Sequence, residues 1–111
     1  MKKYPGLTVQ LHNRTLDVHI GRYPNGRVAI ELFDPAINEP WCTATVNMPE
    51  YRDFNGLWVF IKDYSENEGA LEALVTAGVV SPPKAQIPAG FTEIHICEIL
   101  HPDILKESTR K

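Results

Sequence analysis

The residues with chemistry to offer are four histidines, two cysteines and a cluster of carboxylates. Glu93, His95 and Cys97 alternate near the C-terminus, and His19 or Cys42 could in principle join them around a metal ion. Alternation along a strand separates such side chains by roughly 7 Å, too far for a short chelating pair. Neither CxxC nor HExxH occurs. The same spacing keeps Cys97 and His95 from sharing a hydrogen bond as nucleophile and base. A histidine facing solvent or a cross-strand carboxylate is the plainer reading, and for His19 that carboxylate is Glu31. Asp63, Glu66 and Glu68 lie close together, but general acid–base work needs carboxyls in a cleft with unequal surroundings. Theirs is a predicted helix start, where capping already employs them. Walker loops, GxGxxG, GxSxG and EF-hand patterns are all missing. The chain therefore gives no positive sign of catalysis, and no cofactor or metal is expected.

One small domain must position these residues. The 111 residues suit a single fold, 43% hydrophobic content suffices for one core, and 23% charge argues against wholesale disorder. No apolar run approaches the roughly 20 residues of a membrane span. The basic start Met1-Lys2-Lys3 leads into Leu7-Thr8-Val9-Gln10 in place of an apolar leader core. A soluble, cytosolic protein is expected, with Cys42 and Cys97 reduced. The domain covers 1–111, with 1–6 and 106–111 expected to be flexible.

The clearest structural signal is a hairpin. Leu16, Val18 and Ile20 alternate with polar residues, as do Val28, Ile30 and Leu32. Between them, Asn25-Gly26 suggests a two-residue turn, but that would set Ile20 against Glu31 and ask Pro24 for an N–H it lacks. A type I turn starting at Pro24, with Gly26 as a left-handed bulge, pairs Tyr23 with Arg27 and sets Ile20 against Ile30, Val18 against Leu32 and His19 against Glu31. Trp41 to Met48 reads as a third strand, with Cys42, Ala44, Val46 and Met48 on one face. Leu57 to Ile61, continuously apolar, reads as a central strand covered on both sides. Ser65 and Glu68 form a capping box for a helix from about Glu66 to Ala77, with Gly69 as its weak point and Gly78 as its C′ residue. Ser81 to Gly90, rich in proline, reads as a surface connection, and Phe91 to Leu100 as the last strand. The expected fold is α+β: an antiparallel sheet of about five to six strands with one helix packed on it.

Charge is unevenly spread. From Glu31 to Glu72 there are nine acidic residues and two basic ones, while five of the eleven basic residues stand at the ends. Such a stretch repels phosphate, so direct nucleic-acid binding is not expected, and it would suit a partner with a basic groove.

The segments Asn25 to Leu32, Thr45 to Asn47 and Ile61 to Gly69, with Leu71, Leu74, Gly78 and Gly90-Phe91, together resemble a family of small uncharacterised bacterial proteins found on phages, plasmids and other mobile elements. The most specific part is Lys62-Asp63-Tyr64-Ser65-Glu66-Asn67-Glu68-Gly69. Some relatives in that family are classed as anti-CRISPR proteins that inhibit Cas9, so the resemblance implies a protein-binding function and a Cas9-type nuclease as partner. It implies no catalytic residues. Capping accounts for Ser65 and Glu68, and Glu66 suits the helix dipole. Lys62, Asp63, Tyr64, Glu66 and Asn67 are the candidate recognition surface. The alternative is a ligand-binding domain or small enzyme whose pocket lies between helix and sheet, near His95 and Cys97.

Overall fold

The computed structural model describes residues 2–24, 26–48, 58–64, 67–89, 92–102 and 104. Among them the chain forms β1 (Lys2–Leu11), β2 (Arg14–Arg22), β3 (Val28–Asp34), β4 (Glu39–Thr43), β5 (Trp58–Lys62), α1 (Ala70–Thr76), β6 (Ala85–Ala89) and β7 (Thr92–Glu98). The class is α+β with antiparallel pairing throughout, but the strands divide into two sheets, ordered β1-β2-β3-β4 and β5-β7-β6, in place of the single sheet expected.

The division occurs inside the predicted Trp41–Met48 strand. Ala44 donates its N–H to Ile30 O (2.8 Å) in the first sheet and accepts from Lys62 N (2.9 Å) in the second. Val46 N then bonds Phe60 O, while the Thr45 hydroxyl oxygen takes the Ile30 N–H at 3.1 Å. A threonine side chain thus completes the first sheet where the backbone leaves it. The apolar face of the segment is shared accordingly: Ala44 is buried in the main core, and Val46 and Met48 pack on a second cluster of Phe60, Ile87, Ile94 and Ile96. Covered on both faces as expected, β5 sends Val59 and Ile61 into one core and Phe60 into the other. In the strand order it stands at the end of its sheet, with β7 between β5 and β6, but its outer side bonds Ala44 and Val46, so it is paired on both sides as a central strand is. Leu57 lies outside the described residues, as do the Glu50–Gly56 loop and Phe91.

The β2–β3 hairpin has the bulged register, with Ile20↔Ile30, Val18↔Leu32 and His19↔Glu31 paired. Tyr23 N donates to Arg27 O and Gly26 N to Tyr23 O, both at 2.8 Å, and Gly26 sits at φ +87°. Two strands arise where none was expected. Residues Lys2–Gly6, assigned to a loose end, belong to β1, which shifts register between Lys3 and Thr8 and then pairs regularly with β2. Ala85–Ala89, assigned to a connection, pairs with β7. It is an edge strand, so the N–H that Pro88 lacks costs the sheet nothing when that side faces away from β7.

Helix α1 starts four residues later than predicted. Gly69, expected within the helix, is its N-cap at φ +94°, a conformation that ends helical pairing on its N-terminal side. The C-terminal end is as expected: Gly78 (φ +74°) donates to Val75 O and Val79 to Leu74 O, the double bond of a Schellman motif. Ala70, Ala73 and Leu74 face the core. Leu74 is fully buried, which contributes about 1.5–3 kcal/mol. Ile104 closes the same core from beyond β7.

Candidate functional site

The turn from β5 into α1 carries the predicted recognition residues, and the fold uses two of them internally. Asp63 Oδ1 accepts the N–H groups of Gly69 (2.9 Å) and Leu71 (3.0 Å), so this carboxylate caps the helix from six and eight residues away. Ser65, to which the cap was assigned, lies outside the described residues. Asn67 is buried at 3% exposure, and its Nδ2 donates to Thr43 O at 2.8 Å, tying the turn to the end of β4. Lys62 is half-buried, with its backbone paired to β7. Tyr64 is different: 36% of its surface is open to solvent, and it is one of three large exposed apolar side chains among the described residues, with Ile37 and Leu100. Glu66 and Ser65 lie outside the described residues.

The acidic stretch loses part of its surface in folding. Asp34 is 1% exposed and holds Arg14 Nη1 at 2.7 Å, and Arg14 in turn stacks 4.7 Å above Trp41. Glu31 faces His19 at 3.6 Å, the cross-strand pair the register requires. Glu39, Glu68 and Glu72 are exposed.

A second feature went unforeseen. A groove of about 490 Å³ runs between β1 and α1, lined on the strand side by Thr8 to His12 and on the helix side by Gly69, Glu72, Ala73, Thr76 and Ala77. A cavity between helix and sheet is therefore present, but His95 and Cys97 do not line it. Cys97, on β7 beside Val59 of β5, is buried, and that burial pushes the pKa of its thiol up to about 12. Since the thiolate is the nucleophile, Cys97 is inert at neutral pH. No disulfide joins Cys42 to Cys97, and no three histidine, cysteine or carboxylate side chains meet as a metal site among the described residues. Nor is any helix there long and apolar enough to cross a membrane. The groove's one sequence signal was the alternation Leu7, Val9, Leu11 before His12-Asn13. That pair turns with φ +51° and +61°, a hairpin that Asn-Gly usually makes.

No family model matches the chain, and neither a curated protein nor a solved structure is similar to it.

Proposed function

We propose that this protein acts by binding a protein partner, without performing chemistry on it, through a surface centred on Tyr64. The observation that carries this reading is the contrast within one turn. Asp63 and Asn67 are bonded into the fold, while Tyr64 between them is 36% exposed. A half-open tyrosine can bury substantial area on contact at low entropic cost, with its hydroxyl still hydrogen-bonded. The exposed Glu68 nearby in sequence adds negative charge, which complements a basic surface.

The family resemblance supplies the first partner to test, a Cas9-type nuclease, whose nucleic-acid channel is positively charged. In that reading the protein is an accessory of a mobile genetic element working in the bacterial cytoplasm. The test is in vitro cleavage by several Cas9 orthologues. Added protein should slow at least one of them, and about 0.5 M salt should weaken the effect by screening it. Tyr64→Ala should raise the concentration needed roughly tenfold or more, the loss of about 1.4 kcal/mol expected of an interface anchor, with an unchanged melting temperature. Unaltered cleavage in every orthologue would remove the nuclease reading. An unfolded Tyr64→Ala variant would make the residue structural.

A further inference from the structure

The groove beside β1 is bordered by an open strand edge. Among the described residues β1 is the outermost strand of its sheet and pairs with β2 alone. The two-residue turn His12-Asn13 makes Leu11 and Arg14 a hydrogen-bonded pair, and in an antiparallel ladder such pairs alternate with non-bonded ones. Val9↔Leu16 is therefore bonded, while Thr8↔Asp17 and Gln10↔Thr15 are not. The backbone N–H and C=O of Thr8 and Gln10 consequently point away from β2, at two residues that line the groove.

Among the described residues the other sheet edges are covered or blunted: the outer side of β5 bonds Ala44 and Val46. β4 is five residues long and contains Pro40, and β6 is five residues long and contains Pro88. The first half of β1 carries Pro5 and the register shift. Thr8–Leu11 has no proline, no charge and no bulge, although an open edge is ordinarily protected by one of these. Its protection is the groove itself, whose opposite wall is a helix with the small residues Gly69, Ala73 and Ala77. A space of about 490 Å³ admits a few residues of extended chain and not a second folded sheet. Glu72 is the acidic side chain of that helix wall.

We infer that this groove binds an extended, lysine- or arginine-bearing segment of a partner protein, which adds to β1 as an antiparallel or parallel strand. Its amides bond Thr8 and Gln10, and a basic side chain pairs with Glu72. Main-chain pairing supplies affinity and the alternate side chains supply selectivity. The inference deepens the protein-binding reading and rests on it, but uses a site separate from Tyr64.

The test titrates the ¹⁵N-labelled full chain with a capped peptide of about eight alternating valine and lysine residues, a strand of ordinary length. The amide signals of Thr8 and Gln10 should shift and their hydrogen exchange slow by about tenfold or more, while Val9 and Leu11, already protected, stay as they were. Glu72→Lys should weaken the peptide roughly tenfold, and a peptide N-methylated at alternate residues should not bind. Gln10→Pro removes one N–H outside the ladder and should also abolish binding. No change at Thr8 and Gln10 with peptide in the millimolar range overturns the inference, as does equal binding of the N-methylated peptide. Protection of those two amides that rises with protein concentration alone would assign the edge to a second copy of this chain, and would overturn it too. Nuclease inhibition retained by Glu72→Lys, when that variant no longer takes the peptide, would overturn the groove's part in partner binding and leave the Tyr64 reading standing.

Discussion

Two turns in this protein are each built on a glycine at positive φ, Gly26 at +87° and Gly69 at +94°. In the first, the backbone bonds that set the geometry lie within five consecutive residues. Pro24 starts the turn, Tyr23 N bonds Arg27 O, and Gly26 N closes on Tyr23 O. In the second, the groups that set the geometry come from far along the chain. Asp63 caps the helix from six and eight residues before its amide partners, Asn67 reaches Thr43, and Leu11 of β1 packs over Gly69. Both glycines adopt the left-handed conformation, one for a local reason and the other for a tertiary one. A turn set locally can be read from its own residues; a turn set by contacts elsewhere cannot.

Substituting the two glycines separates these causes most sharply. A Cβ at Gly26 would have nothing within 4 Å, so Gly26→Ala carries only the conformational cost, about 1–2 kcal/mol. A Cβ at Gly69 would stand 2.8 Å from Leu11 Cδ1, a buried side chain that would have to move. Gly69→Ala should therefore cost about 1–3 kcal/mol more than Gly26→Ala, since overpacking adds to the same backbone strain. Urea titrations of the two variants, compared at equal m-value, measure the difference. Equal losses would mean that Leu11 yields without cost and that the second turn is as local as the first.

Asp63→Ala is the next largest. It leaves two N–H groups at the start of α1 without their charged acceptor, and a lost cap with charge-assisted bonds should cost about 2 kcal/mol. The loss should appear in thermal unfolding at pH 7. A variant as stable as wild type would return the cap to some other residue and restore Asp63 to the recognition surface.

The legible parts of the fold are those with short-range causes. The β2–β3 register followed from alternation and one turn, and Gly78 marked the helix end because the Schellman bonds span only a few residues. β1 was hidden because its turn residues, His12 and Asn13, adopt positive φ less readily than Asn-Gly, so the alternation before them found no partner. β6 was hidden because Pro88 argues against a strand until one knows that the strand is an edge. The single-sheet expectation failed at Ala44, where one residue bonds both sheets and the alternation runs on unchanged. In the candidate site, Tyr64 is 36% exposed. Asp63 and Asn67 looked unexplained only because their partners, the Gly69 and Leu71 amides and Thr43 O, are tertiary or lie beyond the expected helix start.

The smallest predicted effect bears most directly on the comparison. Ser65 followed by Glu68 has the spacing of a capping box, and if that box held the helix, Ser65→Ala would cost about 1 kcal/mol. The helix begins instead at Ala70, its N-cap is Gly69 with no side-chain cap of its own, and the acceptor its first amides use is Asp63. In sequence, Ser65 stands four residues before that N-cap, whereas a capping side chain belongs to the N-cap residue itself. Ser65→Ala should therefore change stability by less than about 0.5 kcal/mol, the range of an ordinary surface substitution. Pairing it with Asp63→Ala in a double-mutant cycle tests the assignment further, because two residues serving one cap would couple and two unrelated ones would add. A loss near 1 kcal/mol from Ser65→Ala alone, or clear coupling with Asp63, would place the helix start under local control and dissolve the distinction between the two glycine turns.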